Sequence, residues 1–136
     1  MATRRRAREV VLQMLFQLES SGATPKEVVE LFRTCFGEGP LPDEFSVDLF
    51  RKVADSLDAI DEAIVGASEN WRLERMSRVD RNIMRIGVYE LSGDDDTPPR
   101  VAINEAVELA KRFGTADSAS FVNGILDRVA HDEKRL

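Results

Sequence analysis

Apolar residues recur at spacings of three and four along almost the whole of this 136-residue chain, and stretches that alternate apolar and polar residues are absent. A repeat near 3.6 residues is typical of amphipathic α-helices, whereas a repeat of two is typical of strands. The sequence therefore predicts an all-α fold, a compact bundle of about seven helices. Because no linker divides the chain, we expect residues 1–136 to form a single domain.

Capping signals mark the first two helices. We expect helix one to run from about Arg4 to Ser20, with Thr3 as its N-cap and Gly22 beyond its end. The segment Thr24-Pro25-Lys26-Glu27 combines a capping box with proline at the first helical position. It therefore predicts the start of a second helix.

The later helices begin at similar signals. Asp43 is expected to cap a long helical stretch that reaches about Ser68 and breaks near Ser56. Further helices are expected to begin at Ser77, near Arg100 and after Asp117. Gly87 and Gly124 fall inside these helices, where glycine costs about 1 kcal/mol relative to alanine. We expect close helix–helix approach to be the reason for both glycines.

Four arginines crowd the start of the first predicted helix, in a chain whose net charge is −6: Arg4, Arg5, Arg6 and Arg8. Each positive charge at a helix N-terminus opposes the macrodipole and costs about 0.3–1 kcal/mol at low salt. A sequence selected for stability alone would place acids there. The cluster therefore indicates a binding function.

Helical geometry aligns part of this cluster with an aromatic residue. At about 100° per residue, a row that flanks the apolar stripe contains Arg5, Arg8, Leu12 and Phe16, and Arg6 points away from it. Guanidinium groups bind phosphates bidentately and aromatic rings stack on unpaired bases, so RNA is one candidate ligand. The alternatives are a solvated charged end with Phe16 in the core, an acidic protein partner, or a membrane surface.

A second set of arginines recurs at spacings of three and four around the start of the fifth predicted helix: Arg72, Arg75, Arg78, Arg81 and Arg85. Glu74 and Asp80 are interleaved with these arginines. The interleaving favours salt bridges on a solvated face over phosphate binding.

Residues that support catalysis or cofactor binding are scarce. His131 is the only histidine, and Cys35, the only cysteine, is expected to be a buried apolar residue. No metal-ligand spacing and no glycine-rich phosphate loop is present, so we expect neither an enzyme nor a cofactor nor a metal. No apolar run approaches the roughly 20 residues that span a bilayer, and we expect an intracellular protein without a membrane partner.

Sequence blocks along essentially the whole chain resemble the NusB family. The first block is Arg4-Arg5-Arg6-Ala7-Arg8-Glu9, and the second joins Trp71, Asp80-Arg81-Asn82-Ile83-Met84-Arg85 and Tyr89-Glu90-Leu91. The most specific block extends from Val101-Ala102-Ile103-Asn104-Glu105-Ala106 to Phe121-Val122-Asn123-Gly124-Ile125-Leu126-Asp127. Residues 23–68 carry little of the family signature, so no partner contacts are transferred to them.

The resemblance implies an all-helical transcription antitermination factor in the cytoplasm. Members of the family bind the boxA element of ribosomal RNA leader transcripts, usually together with NusE, which is also a small-subunit ribosomal protein. The heterodimer joins RNA polymerase with NusA and NusG. Both monomers and homodimers occur in the family, and the sequence does not choose between them. A similar domain precedes ribosomal RNA cytosine methyltransferases, but these also need a cofactor-binding domain, so we do not expect this chain of 136 residues to be such an enzyme.

The resemblance also implies functional residues. RNA binding is implied for Arg4, Arg5, Arg6, Arg8, Phe16, Asp117 and Phe121. Asp80 falls where relatives have an acid near the partner and RNA surfaces, so a partner contact is implied for it. If all four arginines contact phosphate, log K should fall with log salt with a slope of roughly −3. The alternative function is a protein-only helical adaptor whose arginine-rich end binds an acidic partner.

Overall fold

Seven α-helices and one short 3₁₀ helix form the described part of this computed structural model, which comprises residues 3–34, 42–68, 72–92 and 97–133. The elements are α1 (Arg4–Ser21), α2 (Pro25–Thr34), α3 (Glu44–Asp55), α4 (Leu57–Ala67), the 3₁₀ helix (Leu73–Arg75), α5 (Arg78–Ser92), α6 (Pro99–Phe113) and α7 (Ser118–Asp132). This architecture confirms the predicted all-α fold of about seven helices.

The chain divides into two compact units, Met1–Asp55 and Ser56–Leu136. The division coincides with the expected break near Ser56, because α3 ends at Asp55 and α4 begins at Leu57. The single domain over residues 1–136 stays a prediction.

The first unit is built on the apolar faces of its three helices. Helix α1 packs against α2 and α3, and α2 packs against α3. The buried side chains include Val11, Met14, Leu15, Val28, Val29, Phe32, Leu49, Phe50 and Val53. Because burial of one large apolar side chain contributes about 1.5–3 kcal/mol, this packing is the main source of the unit's stability.

Helix ends in the first unit follow the capping signals. Thr3 Oγ1 accepts a hydrogen bond from the Arg6 backbone N–H at 3.1 Å, and α1 ends at Gly22, whose φ of 70° is left-handed. Thr24 and Glu27 form both bonds of the capping box, at 3.0 and 3.2 Å. The hydrogen bond from the Thr24 backbone N–H, followed by that with its side chain, lowers the pKa of Glu27. The predicted caps are therefore confirmed.

The second unit packs α5 against α6 and α7, which also pack against each other, and α4 against α5 and α7. The buried side chains include Ile64, Ile83, Met84, Ile86, Leu91, Ala110, Val122 and Leu126. At the start of α5, Ser77 Oγ accepts a hydrogen bond from the Asp80 backbone N–H at 3.1 Å, which confirms the predicted cap.

The two helical glycines have different surroundings. A Cβ at Gly87 would lie 2.7 Å from Leu126 Cδ1 and 3.4 Å from Ala106 Cβ, so the expected close approach of α5 to α6 and α7 is confirmed here, and a larger residue would have to displace the Leu126 side chain. A Cβ at Gly124 would meet nothing within 4 Å among the described residues. The expected close approach is therefore wrong at Gly124, because this residue lies on an exposed face of α7.

Candidate nucleic-acid interface

The first turn of α1 carries the exposed residues Arg4, Arg5 and Arg6. Arg6 Nη1 lies 3.8 Å from Glu9 Oε2, and the two side chains are 50% and 8% exposed, so this ion pair leaves half of the Arg6 side chain in solvent. A helix N-terminus and guanidinium groups both attract anions. The start of α1 is therefore suited to contact phosphate groups.

Arg8 differs from the other three arginines because it is buried, with 4% of its surface exposed. Its guanidinium carbon lies 5.7 Å from the centroid of the Phe45 ring, and that of Arg4 lies 4.9 Å from the same centroid. Phe45 is half-buried in the first turn of α3. No local pattern in the sequence indicates this contact of Phe45, because α1 and α3 are separated along the chain by α2.

The predicted row from Arg5 to Phe16 is not a continuous exposed path. Arg8 and Leu12, its middle members, are 4% and 3% exposed. Phe16 is half-buried and lines a shallow cavity of about 340 Å³ together with Gln13, Gln17, Ser20 and Phe32. The ring of Phe16 is therefore neither fully in the core nor connected to the exposed arginines by an exposed row.

The second unit brings together three residues that sequence analysis singled out. Asp80 at the start of α5, Asp117 at the start of α7 and Phe121 one turn later line a cavity of about 280 Å³. The other lining residues are Arg75, Met76 and Ser77. An aromatic ring beside carboxylates and a guanidinium group can stack on a base and hydrogen-bond to its edge.

Asp80 has a polar atom that the described residues leave unsatisfied. Its Oδ1 is buried and has no hydrogen-bond partner among them. A buried acceptor without a donor costs about 1–3 kcal/mol relative to a satisfied one.

Arginines of the second set form internal bonds in the same unit. Arg81 Nη1 donates to the carbonyl oxygens of Leu73 and Met76 at 3.1 and 3.2 Å. Arg85 donates from Nε and Nη2 to the Asp61 carboxylate on α4 at 2.8 and 2.9 Å. Salt bridging is thus confirmed for Arg85, but the predicted solvated face is wrong for this residue, because its partner is Asp61 of α4 and its side chain is only 11% exposed.

Other candidate features fall outside the site or outside the described residues. Cys35 and Trp71 lie outside the described ranges, and His131 is exposed in the last turn of α7. Among the described residues, no group of three or more His, Cys, Asp or Glu side chains is arranged to hold a metal ion. In the same ranges, no helix is long and apolar enough to cross a membrane.

The chain matches known proteins over nearly its full length. Residues 5–131 match the model of the NusB family. A transcription antitermination protein NusB from Sorangium cellulosum is 46% identical over 136 residues, which cover 100% of this chain and 97% of that relative. The protein of the same name from Myxococcus xanthus is 46% identical over 134 residues, with 96% of each chain covered.

Solved structures share the fold. The structure of T. maritima NusB has a TM-score of 0.82 and 36% sequence identity, and the match covers 98% of this chain and 96% of that one. A complex of the antitermination factors NusB and NusE with dsRNA has a TM-score of 0.81 over 95% of this chain and 96% of the other. Its sequence identity is 24%, so this second likeness shows the fold alone.

Proposed function

The chain belongs to the NusB family, and on that premise we infer that it is a transcription antitermination factor. In this proposal it binds boxA-containing single-stranded RNA of ribosomal RNA leader transcripts together with NusE. The complex then joins RNA polymerase with NusA and NusG and supports processive transcription. Because bacterial transcripts are made in the cytoplasm, the protein acts there, and its action requires no catalytic step.

One observation beyond family membership carries the RNA-binding proposal. Arg4, Arg5 and Arg6 stand exposed at the positive end of α1, although the whole chain has a net charge of −6. Their charges oppose the helix dipole, which makes this position unfavourable for cations. Phosphate groups of RNA are anions that bind both guanidinium groups and helix N-termini. These arginines therefore supply affinity.

The cavity of the second unit supplies preference for particular bases. Phosphate contacts carry no sequence information, which must come from contacts with the bases themselves. Phe121 offers a ring for stacking, and the carboxylates of Asp80 and Asp117 accept hydrogen bonds from base amino or imino groups. Asp80 also stays our candidate for a contact with the protein partner.

NusE is the proposed protein partner because this chain shares the fold of a solved complex's NusB component, and that complex also contains NusE. The test is fluorescence anisotropy with a labelled boxA-like RNA and a scrambled RNA of equal length and composition, each with and without NusE. We expect tighter binding of the boxA-like RNA, and a further gain for that RNA when NusE is present. Negligible and equal binding of both RNAs in both conditions would instead favour a protein-only adaptor with an acidic partner.

A matched pair of phenylalanine variants tests the role of the cavity. Base–aromatic stacking is worth about 1–3 kcal/mol per base, so Phe121→Ala should weaken binding of the boxA-like RNA by about tenfold. The loss for the scrambled RNA should be smaller. Phe113→Ala is the control, because Phe113 is 38% exposed at the end of α6 and does not line the cavity. Equal losses for both variants would contradict the assignment of the cavity.

A further inference from the structure

Phe45 makes an unusual contact with the arginine-rich start of α1. The guanidinium carbons of Arg4 and Arg8 lie over its ring, at 4.9 and 5.7 Å from the centroid. Both distances fall within the range of about 6 Å in which a cation is attracted to the face of an aromatic ring. A single aromatic ring of α3 therefore contacts two guanidinium groups of α1.

The contact reduces two electrostatic costs of the cluster. Arg4 and Arg8 are four residues apart on α1, where like charges lie on the same side of the helix and repel each other. Arg8 is also 4% exposed, and a buried charge requires compensating contacts. The electron-rich face of Phe45 supplies a favourable contact for both guanidinium groups.

The two arginines differ in what remains accessible. Arg4 is exposed, whereas Arg8 is buried. A phosphate can therefore approach Arg4 while its guanidinium group stays on the ring, and Arg8 is enclosed by protein. Restraint of a long side chain before binding lowers the conformational entropy that is lost when the complex forms.

We propose that Phe45 is a positioning residue for RNA binding, which holds the guanidinium group of Arg4 in place for a phosphate, with Arg8 as a buried anchor on the same ring. The proposal rests on the RNA-binding function proposed above and divides the cluster by role. Arg4, Arg5 and Arg6 contact phosphates, and Arg8 stabilises the start of α1 against α3. Phe45 acts through Arg4 and does not itself contact RNA.

Two substitutions separate the aromatic face from apolar bulk. Phe45→Leu keeps an apolar side chain but removes the π face, and we expect about a fivefold loss of affinity for the boxA-like RNA. Phe45→Trp keeps a π face and should retain the wild-type affinity. Circular dichroism and thermal unfolding establish that both variants are folded. Retained affinity in Phe45→Leu, or an equal loss in both folded variants, would overturn the proposal.

A double-mutant cycle tests whether Phe45 acts through Arg4. In an Arg4→Ala background, Phe45→Leu should change affinity by less than about twofold, because the side chain that it positions is gone. In an Arg5→Ala background, the matched control, the full loss of about fivefold should remain. A full loss in the Arg4→Ala background would mean that Phe45 contacts RNA directly, which would overturn the proposal.

A measurement on the free protein distinguishes this inference from the function on which it rests. Ring-current shifts of the Arg4 and Arg8 side-chain protons should be present in NMR spectra of the wild type and lost in Phe45→Leu. RNA binding without these shifts would overturn the positioning role and leave the proposed function intact. If the ring-current shifts are present but the protein binds no RNA, the proposed function and the positioning role are both overturned. The result would then support only the contact of Phe45 with the two arginines.

Discussion

Arginines are concentrated both at the start of α1 and around the start of α5, but the two sets have different environments. Arg4, Arg5 and Arg6 lie exposed on a first turn that carries no acidic residue. Arg81 and Arg85 instead donate hydrogen bonds to backbone carbonyls and to a carboxylate of their own unit. The first set presents exposed side chains to solvent, although Arg6 is also paired with Glu9 of its own helix, whereas Arg81 and Arg85 bond within the fold.

Neighbouring residues explain this difference. Arg85 follows one helical turn after Arg81 on α5, which packs against α4, and α4 supplies the Asp61 carboxylate. The Arg85 and Asp61 side chains are only 11% and 24% exposed, so their attraction is less screened by water than that of a surface pair. An arginine repeat in a sequence therefore indicates a binding surface only if acids of adjacent elements do not neutralise it.

Removal of the exposed set should have the largest effect on RNA binding. If each phosphate contact contributes about 1 kcal/mol, the triple variant Arg4→Ala/Arg5→Ala/Arg6→Ala should bind RNA about 100-fold more weakly. Its free energy of unfolding should change by less than about 1 kcal/mol, because removal of three cations from a helix N-terminus offsets the loss of the Arg6–Glu9 ion pair and of the Arg4–Phe45 contact. Anisotropy titrations and urea unfolding measure the two effects.

Salt dependence sharpens the same prediction. With three phosphate contacts at about −0.7 each, log K of the wild type should fall with log salt with a slope of about −2, and the triple variant should lose most of this slope. A slope of roughly −3 would mean that a fourth arginine, either the buried Arg8 or the exposed Arg75, also contacts phosphate. A complex insensitive to salt would remove the proposed role of the whole cluster.

Arg85→Ala should lower stability and leave RNA affinity unchanged, which is the reverse of the effect expected for the triple variant of α1. Since it leaves the half-buried Asp61 carboxylate without its partner, we expect a loss of about 2 kcal/mol in the free energy of unfolding. The affinity of the folded variant for RNA should be unchanged. Arg72→Ala, at an exposed residue of the same arginine set, is the control and should change stability by less than about 0.5 kcal/mol. A stable Arg85→Ala variant with weakened RNA binding would break the comparison.

Arg75 is the member of the second set that lines the cavity with Asp80, Asp117 and Phe121, and it is exposed. Arg75→Ala should weaken RNA binding by about threefold to fivefold, because one exposed charge contact is worth about 1 kcal/mol or less. Its unfolding free energy should match that of Arg72→Ala. Unchanged affinity would confine RNA recognition by arginine to α1.

The smallest expected effect is a change in stability at the start of α2. The first turn of this helix carries an acid, Glu27, whereas the first turn of α1 carries arginines. Hydrogen bonds with Thr24 lower the pKa of Glu27 below its ordinary value of 4.5. The charged carboxylate therefore stabilises the folded state above pH 4.5, and this contribution is lost as pH falls through the lowered pKa. Thermal unfolding should show a lower midpoint for Glu27→Gln at pH 7 and a smaller difference in acid. A difference independent of pH would contradict this role.

Local signals in the sequence were sufficient to predict where several helices begin. The caps at Thr3, Thr24 and Ser77 depend on residues within three positions of each other, so they can be recognised without knowledge of the fold. The expectation of close packing at Gly124 was wrong because packing depends on which face of α7 is covered. Gly87 also lies inside a helix, but a Cβ at this position would meet Leu126 and Ala106 of the neighbouring helices.

The candidate site was predictable in its residues but not in its arrangement. Helical periodicity placed Arg8 in a row with Arg5 and Phe16, because angles along one helix depend only on residue number. Which neighbour covers that row depends on the path of α3, which brings Phe45 to the two guanidinium groups. The cavity around Asp80, Asp117 and Phe121 likewise depends on how the starts of α5 and α7 are placed within their unit.

The sequence by itself therefore determined the helical fold, the helix ends and the exposed basic start of α1, since all three arise from interactions within one or two helical turns. Only the tertiary structure decided which arginines the protein uses internally. Asp61 and Arg85 are 24 residues apart, and Phe45 is still farther from Arg4 along the chain. Contacts over such separations depend on helix packing, which no local pattern specifies.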